Sequence, residues 1–295
     1  MRVLLAEYTV AHDPSLAPEG TAMLAVLRKS FERCGYEVVH PEHGDFLAEI
    51  KRLAPDCDAG LVIAPDPLLF RYTAALERLT HNIGCGSLNA AVCANKQQTG
   101  AILSRHSIPI PDETASGKRI IKPVLGCGAQ GVRLADTDSD PGEFSQRFIE
   151  GEHLSVSMVG SRVVGNVCNY YTGNPPLFLA VNRQYIDISP DGRFSYRGGE
   201  TPIVHERQEE IVETAEKTIT ILGCQGYTGV DIVLADRPYV VDVNPRITTS
   251  IIGIAACMKE EIAVILMEAS KGRGPDKVHL TGSVRFDTHG RVIRL

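Results

Sequence analysis

The sequence predicts a mixed α/β (α+β) fold in which a small open parallel sheet precedes two lobes built on antiparallel sheets. Strand-like and helix-like segments alternate along the first part of the chain, and two strand-like segments joined by a glycine-rich turn follow them. Beyond that turn, strand patterns dominate apart from one clear helix. Alternation of strand and helix is typical of a parallel sheet, whereas strands joined by short turns favour antiparallel pairing.

The first lobe is predicted to span residues 1–88. Val3–Ala6 is apolar throughout, as expected of a buried strand, and apolar residues then recur at helical spacing from Ala22 to Phe31. The later elements of this lobe are predicted to be strands at Tyr36–Val39 and Ala59–Ala64 and a helix at Tyr72–Leu79. Strands and helices in this order indicate a small open parallel sheet.

The second lobe is predicted to span residues 89–150. It begins with a helix over Asn89–Ser104, which Pro109 and Pro111 prevent from continuing. The remaining elements of this lobe are predicted to be strands at Arg119–Val124 and Gly131–Ala135 and a short helix near Glu143–Phe148. The third lobe, residues 151–295, is predicted to be rich in strands, with one amphipathic helix over Arg207–Leu222.

Composition and charge restrict the kind of partner. The chain has 295 residues, 43% of them hydrophobic, and a formal net charge of -6. Because an acidic chain presents no electrostatic footprint for phosphate backbones or anionic lipid, we expect no nucleic-acid and no membrane partner. The 8 cysteines form no C-x-x-C pair and no zinc-type spacing, which favours buried, reduced thiols and a cytoplasmic location.

The most informative segment is a predicted hairpin in which two β-branched runs flank a four-residue loop. Pairing of Leu234 with Tyr239 would place Asp231 directly opposite Asp242. Asn244, two residues beyond Asp242, points to the same side of the strand. Opposed carboxylates destabilise a sheet unless a cation offsets the repulsion between their charges. The oxygen ligands of this group suit Mg²⁺. A solvated outer sheet face is the alternative interpretation.

A glycine-rich loop and two lysines precede this hairpin. Gly126, Gly128 and Gly131 match G-x-G-x-x-G, but the chain continues after them as a strand, where a dinucleotide fingerprint requires a helix. Such a loop instead suits a flap whose backbone N–H groups approach phosphate oxygens. Lys122 lies in the strand that enters the loop and Lys96 on the helix before it. A lone lysine is usually a solvated surface charge, but this ordered set is more specific.

The ordered set resembles the ATP-grasp superfamily of carboxylate-amine ligases over essentially the whole chain. The segments that carry the resemblance are Asn95-Lys96 with Thr99, Ile108–Pro111, Lys122-Pro123, the glycine loop, Phe148–Val156, Asp231 and Asp242–Arg246. In that fold two antiparallel lobes clamp ATP between them. The resemblance implies a Rossmann-like lobe at 1–88, a central lid with the glycine flap at 89–150, and the metal and substrate site at 151–295.

By resemblance, ATP would contact residues of the second lobe and of the linker that follows it. These residues are Lys96, Lys122, Gly126, Gly128, Gly131, Gln146, Arg147, Phe148, Ile149 and Glu152. Mg²⁺ or Mn²⁺ would be held by Asp231, Asp242 and Asn244.

Two of these assignments depart from the family pattern. The resemblance places a hinge that contacts adenine at residues 147–149. Relatives often have an acidic residue before it, where this chain has Gln146, whose amide oxygen can still accept a hydrogen bond from adenine. Relatives often place the ribose-binding glutamate where this chain has His153. Glu152, one residue earlier, is therefore assigned to the ribose.

Two stretches, Glu19–Leu24 and Asp242–Ser250, resemble the group of these enzymes that joins L-glutamate to tyramine in methanofuran biosynthesis. By resemblance, ATP phosphorylates the glutamate γ-carboxylate, and the tyramine amine then displaces phosphate, giving γ-glutamyltyramine and ADP. Lys122 and Arg246 are the expected catalytic residues, with Arg246 holding the reacting carboxylate or acyl phosphate bidentately. Further candidates for substrate contact are Arg183, Thr248, Thr249 and Ser250.

Several alternatives stay open at this point. The three hydroxyl residues can equally cap a following helix. The same nucleotide site would serve a ligase with a different amine or amino-acid acceptor, or a regulator that binds ATP without turnover. An α/β protein that binds no ligand is a further alternative, and the sequence leaves a homo-oligomer, such as a dimer, open.

Overall fold

The computed structural model describes residues 1–42, 44–113, 117–126, 130–135, 139–161 and 174–295. Within these ranges the first lobe contains a parallel sheet with strand order β2-β1-β3-β4, which confirms the predicted open parallel sheet. Its strands are β1 (Arg2–Glu7), β2 (Glu37–Val39), β3 (Ala59–Ile63) and β4 (His81–Asn82). Its helices are α1 (Thr9–His12), α2 (Ala17–Arg33), α3 (Phe46–Leu53) and α4 (Asp66–Glu77).

The helix predicted at the start of the second lobe is divided in two. α5 (Ser87–Ala94) and α6 (Lys96–Arg105) are separated by Asn95, whose backbone is extended at φ -92° and ψ 95°. The Asn95 side chain accepts a hydrogen bond from the backbone N–H of Gln98 at 2.9 Å and so caps α6. Lys96 is therefore the first residue of a helix and not part of a helix interior.

The second lobe also contains a three-stranded antiparallel sheet with strand order β6-β5-β7. Its strands are β5 (Arg119–Pro123), β6 (Arg133–Ala135) and β7 (Glu143–Arg147). The helix predicted near Glu143–Phe148 is wrong. In β7 the buried Phe144 and Gln146 alternate with more exposed neighbours, which is the period of a strand, and a segment this short carries no clear helical period.

The third lobe is built on an antiparallel sheet with strand order β12-β11-β8-β9-β10-β13-β14. Its strands are β8 (Glu152–Gly160), β9 (Leu177–Ile188), β10 (Phe194–Thr201), β11 (Gly226–Leu234), β12 (Pro238–Asn244), β13 (Val284–Phe286) and β14 (Val292–Arg294). Its helices are α7 (Gln208–Leu222), which was predicted, α8 (Ser250–Cys257) and α9 (Ile262–Ala269). Each of the three sheets lies within one predicted lobe, and the lobe boundaries themselves stay a prediction.

The β11–β12 hairpin reaches the predicted carboxylate pairing by a different route. Leu234 pairs with Pro238, not with Tyr239, so the loop is one residue shorter than predicted. An irregularity in the register follows, because Ile232 pairs with Val240 while Asp231 pairs with Asp242. The extra residue of this β-bulge restores the opposition of the two aspartates.

The first and third lobes share a hydrophobic core. Buried side chains of β1 and α2, such as Leu5 and Leu27, belong to the same cluster as Ile251 of α8 and Ile265 of α9. This packing fixes the first lobe against α8 and α9 of the third. Of the cysteines that the structure describes, all are free thiols and most are buried. Among the described helices, none is both long and apolar enough to cross a membrane.

Candidate active site

A cleft with a cavity volume of about 190 Å³ lies between the three-stranded and the seven-stranded sheets. One wall is formed by β5 and the residues on either side of the glycine loop, and the other by β8 to β12. The predicted site residues that line it are Lys96, Lys122, Gly126, Arg147, Phe148, Ile149, Asp231, Asp242, Asn244, Arg246, Thr248, Thr249 and Ser250. The fold thus brings together most of the residues that the sequence nominated.

The three predicted metal ligands form a connected group on the β11–β12 hairpin. The Asn244 amide donates to one oxygen of Asp231 at 3.1 Å, and the Gln184 amide of β9 donates to the other at 2.9 Å. Asp242, directly opposite Asp231, accepts hydrogen bonds from Lys96 Nζ on both oxygens. The two carboxylates therefore face one another with amides and an ammonium group as their partners.

The positive charge of Lys96 does not fully compensate the two carboxylates of Asp231 and Asp242. Burial raises the pKa of Asp231 from its usual 3.8 to about 7, and the charge of Asp242 adds to the rise, against the opposing hydrogen bonds and the charge of Lys96. Two carboxylates and an amide form the hard-oxygen donor set that Mg²⁺ and Mn²⁺ prefer. Within the described residues, no three His, Cys, Asp or Glu side chains are grouped to hold a metal. The donor set of two carboxylates and one amide fits a metal that takes its other ligands from phosphates and water.

The raised pKa of Asp231 makes the stability of the metal-free protein pH-dependent. A carboxyl whose pKa is about 7 when folded and 3.8 when unfolded contributes stability at low pH that is lost as the pH rises through this window. We expect the free energy of unfolding of Asp231→Asn, relative to that of the wild type, to increase from about pH 4 to about pH 7. Above pH ~8 this difference should be constant. Chemical denaturation across this range in the presence of a chelator measures it, and parallel pH profiles would contradict it.

Lys96 is held as a cation. Burial opposes its charge, but the carboxylates of Asp242, Asp66 and Asp231 together raise the pKa of Lys96 above its usual value. Its position as the first residue of α6 also places a helix N-terminus at the cleft, where backbone N–H groups favour anions. The ammonium group and the helix end together suit phosphate oxygens.

Lys122 lies in β5 of the three-stranded sheet, across the cleft from the β11–β12 hairpin. Its side chain is buried against the bulge of β12. Its Nζ donates to the carbonyl oxygen of Val241, adjacent to Asp242, at 3.1 Å. Burial lowers the pKa of Lys122 to about 8, with Lys96 adding to the fall and the two aspartates opposing it. His153 also lines the cleft. Its own burial lowers its pKa, and the charge of Lys122 adds to the fall.

The linker between β7 and β8 forms the apolar end of the cleft. Ile149 packs with Val233 and Tyr239 in a small buried cluster. Phe148 lies next to it, with Lys118 Nζ 4.4 Å from the centre of its ring. Flat apolar surfaces of this kind suit a planar base, as the resemblance implies.

Arg246 and the hydroxyl residues close the other end. Arg246 Nη2 donates to the Asn244 amide oxygen at 3.3 Å, so the guanidinium lies beside the predicted metal ligands. Thr249 precedes α8, but its hydroxyl makes no capping hydrogen bond and donates instead to Glu19 of α2. Thr248 contacts the hydroxyl of Tyr227 at 3.1 Å. For Thr249, then, the helix-cap alternative does not hold.

Several cleft residues were not predicted as site residues. Glu19 comes from the first lobe, and Tyr196 of β10 lines the cleft near it. Burial raises the pKa of Tyr196 well above its usual value, and the charges of Glu19 and Asp231 add to the rise. The phenol is therefore a neutral hydrogen-bond donor at neutral pH. Gln184 and His153 each lie next to a residue that was predicted.

Some predicted residues do not line the cleft. Glu152 and Arg183 lie outside it, 3.8 Å apart at their charged atoms. The buried Gln146 donates to the carbonyl of Pro111 at 3.3 Å, and its side chain is not part of the cleft wall. Gly131 has a φ of +73°, which suits glycine in the turn but leaves it off the wall. Gly128 lies outside the described residues, and the roles of all these residues stay predictions.

Comparison with known proteins agrees with this geometry. The family model of the ATP-grasp domain matches residues 93–250. The chain is 33% identical over 201 residues to a tyramine–L-glutamate ligase of Methanocaldococcus fervens, a match that covers 67% of this chain and 61% of that protein. It is 27% identical over 282 residues to the enzyme of the same name from Methanocaldococcus jannaschii, covering 85% of this chain and 84% of that protein.

Among solved structures, the chain resembles a putative ATP-grasp superfamily protein from Archaeoglobus fulgidus. The two share 28% sequence identity with a TM-score of 0.77, over 97% of this chain and 92% of that one. The matched length includes all three lobes, so the likeness extends beyond the cleft to the first lobe.

Proposed function

The chain belongs to the ATP-grasp family, and from that premise we propose that it is an ATP-dependent ligase that joins the γ-carboxylate of L-glutamate to the amine of tyramine. The proposal has two levels. The reaction type, activation of a carboxylate by phosphoryl transfer from ATP, is supported by the chemistry of the cleft, and amide-bond formation is supported by the relatives, which are named as ligases. The two substrates follow from the relatives at 33% and 27% identity, whose names state them.

One observation carries the reaction type. Two opposed carboxylates, Asp231 and Asp242, share a cleft with the lysines Lys96 and Lys122 and with Arg246. Cations and a metal-binding acid pair are what a triphosphate needs, because phosphoryl transfer depends on positioning and charge neutralisation more than on covalent help.

In the first step a glutamate carboxylate oxygen would attack the γ-phosphorus of ATP, forming an acyl phosphate and releasing ADP. Lys96 and Lys122 neutralise phosphate charge, and Arg246 holds the carboxylate in line. Asp231, Asp242 and Asn244 would hold Mg²⁺ or Mn²⁺, which neutralises phosphate charge as a Lewis acid when bound.

In the second step the tyramine nitrogen would attack the acyl carbon, and the C–O bond to phosphate would break. The products are the amide and hydrogen phosphate. The ammonium group of tyramine loses two protons overall, one carried by the phosphate and one released to water, and the amide nitrogen keeps the third. An acyl phosphate also reacts with water, so the cleft must keep water out. The buried side chain of Lys122 contributes to this exclusion near the phosphates.

The decisive experiment is product identification. We expect the purified protein with ATP, Mg²⁺ or Mn²⁺, L-glutamate and tyramine to give γ-glutamyltyramine, with one ADP formed per product, as measured by mass spectrometry and a coupled ADP assay. Omission of either substrate serves as the control. ADP release with another amine or amino acid but not with tyramine would keep the ligase and replace the acceptor. Absence of ADP release with any acceptor would contradict the ligase itself.

A further inference from the structure

A carboxylate of the first lobe supports the cleft arginine from outside the cleft. Asp66 Oδ1 accepts a hydrogen bond from Arg246 Nε at 2.9 Å, and the two side chains are 2% and 13% exposed. Asp66 is the first residue of α4 and is not part of the cleft wall. The ion pair therefore connects the parallel-sheet lobe to the substrate end of the cleft in a place shielded from water.

Stability alone is a poor explanation for this pair. The second carboxylate oxygen, Asp66 Oδ2, is buried and has no hydrogen-bond partner within the described part of the chain. Leaving a buried carboxylate oxygen without a partner is unfavourable. Buried ion pairs can also often be replaced by apolar side chains with little loss of stability. The Asp66–Arg246 ion pair lies beside the cleft and leaves one carboxylate oxygen without a partner. Its geometry therefore points to a role other than stability.

The geometry suits the orientation of the guanidinium group. The hydrogen bond from Arg246 Nε to Asp66, at 2.9 Å, is shorter than those from Nη1 to Ile247 O and from Nη2 to Asn244 Oδ1, which are 3.3 Å each. A guanidinium is planar, so fixing Nε fixes the directions of both Nη groups. These are the atoms that grip a carboxylate bidentately.

We propose that Asp66 is a positioning residue that orients Arg246 for the reacting carboxylate or acyl phosphate. The proposal rests on the proposed ligase function. Asp66 contacts no substrate and acts through Arg246. It also contributes to the charge of the neighbouring Lys96, since it is one of the carboxylates that favour the ammonium form.

The kinetic test compares Asp66→Ala, Asp66→Asn and the wild type. We expect Asp66→Ala to lower kcat/KM for the carboxylate substrate by about 10- to 100-fold, since a misplaced binding group has effects of this size. Asp66→Asn keeps an acceptor for Nε and should recover part of that loss. The KM for ATP should change by a smaller factor than kcat/KM for the carboxylate substrate, because only the phosphate end of the nucleotide would lie near Arg246 and Lys96. An equal rise in the KM for ATP would indicate general damage and overturn the proposal.

A double-mutant cycle separates positioning from a structural role. In the Arg246→Lys background there is no guanidinium plane to fix, so Asp66→Ala should lower kcat/KM by less than about twofold further. A full additional loss in that background would overturn the proposal. Glu210→Gln, which breaks the ion pair of Glu210 with Arg207 on α7, is the control and should leave kcat/KM unchanged.

A second readout does not depend on turnover. In ¹⁵N NMR spectra, the Arg246 Nε–H proton should exchange slowly with water in the wild type and measurably faster in Asp66→Ala. Unchanged exchange would overturn the positioning of Arg246 even in an active enzyme. If the wild type instead forms no amide with any substrate pair, the proposed function fails, and the NMR comparison still decides whether Asp66 holds Arg246.

Discussion

Asp242→Asn is expected to lower ATP-dependent ligation by ~10²-fold or more while the chain remains folded. Asp242 is one of two opposed carboxylates on the hairpin, and it also holds Lys96 through both of its oxygens. Removing its charge weakens the proposed metal site and releases a lysine that faces the phosphates. Asp231→Asn should lose activity to a similar extent, because neither carboxylate alone provides the anionic pair. An ADP-release assay at saturating ATP measures both.

The same two substitutions should have opposite effects on the metal-free fold. Asp231→Asn removes a carboxyl whose ionised form is disfavoured by burial and by Asp242, and should raise the free energy of unfolding by about 1 kcal/mol or more near pH 8. Asp242→Asn leaves Lys96 without its closest anion and should lower the free energy of unfolding by about 3 kcal/mol. Lost activity in a more stable variant separates function from folding.

Asp236→Asn is the matched control for both substitutions. Asp236 lies in the loop of the same hairpin, and its side chain is 73% exposed. We expect it to keep near-wild-type turnover and stability, since exposed charges contribute little. Near-normal turnover of Asp242→Asn or Asp231→Asn beside that control would remove the metal-site assignment.

The opposition of Asp231 and Asp242 shows how far pattern reasoning reaches. The β-branched runs and the short loop predicted the hairpin, and the side-chain period of two placed both carboxylates on one face. The loop was nevertheless wrong by one residue, and a bulge beside Asp242 compensated for it. Bulges depend on packing against neighbouring strands, which a single hairpin sequence does not reveal.

Neighbouring residues in strands mark the limit more sharply. Arg183 and Glu152 were nominated, whereas Gln184 and His153, one residue further on, line the cleft. Successive side chains of a strand point to opposite faces, so a shift of one residue moves a group from the cleft to the outside. The chemical type of Arg183 favoured it, but only the register of β9 decides which face it occupies.

Contacts between lobes were the least predictable part. Glu19 and Asp66 reach the Arg246 end of the cleft from the first lobe, 230 and 180 residues before their partners Thr249 and Arg246. No local periodicity encodes such a separation. The signal that was present is the resemblance of the stretch beginning at Glu19, which pointed to a substrate group without assigning a role to the residue.

Lys122→Ala is expected to lower kcat/KM by ~10²- to 10³-fold, the range for removal of one preorganised group that stabilises developing charge. Lys122 is buried, lines the cleft and lies on the lobe that faces Asp242. Its charge is disfavoured by burial in the ligand-free protein, so its removal should not unfold the chain. Lys122→Met, which keeps the stem, should lose activity similarly, and the surface variant Lys217→Ala should not. Substantial activity in Lys122→Met would show that only the packing of the stem matters.

The pKa of Lys122 adds a signature that general damage would not produce. Since this pKa is about 8 without ligand and the phosphates of ATP favour the ammonium form, the protein must take up a proton to bind ATP above that pH. ATP affinity should therefore fall as the pH rises above 8, and the number of protons taken up should approach about one per ATP bound. Lys96, whose pKa is raised, stays charged and contributes no such slope. Calorimetry of ATP binding in buffers of different ionisation enthalpy should detect the uptake in the wild type and not in Lys122→Met, and an equal uptake in both would contradict the role of Lys122 at the phosphates.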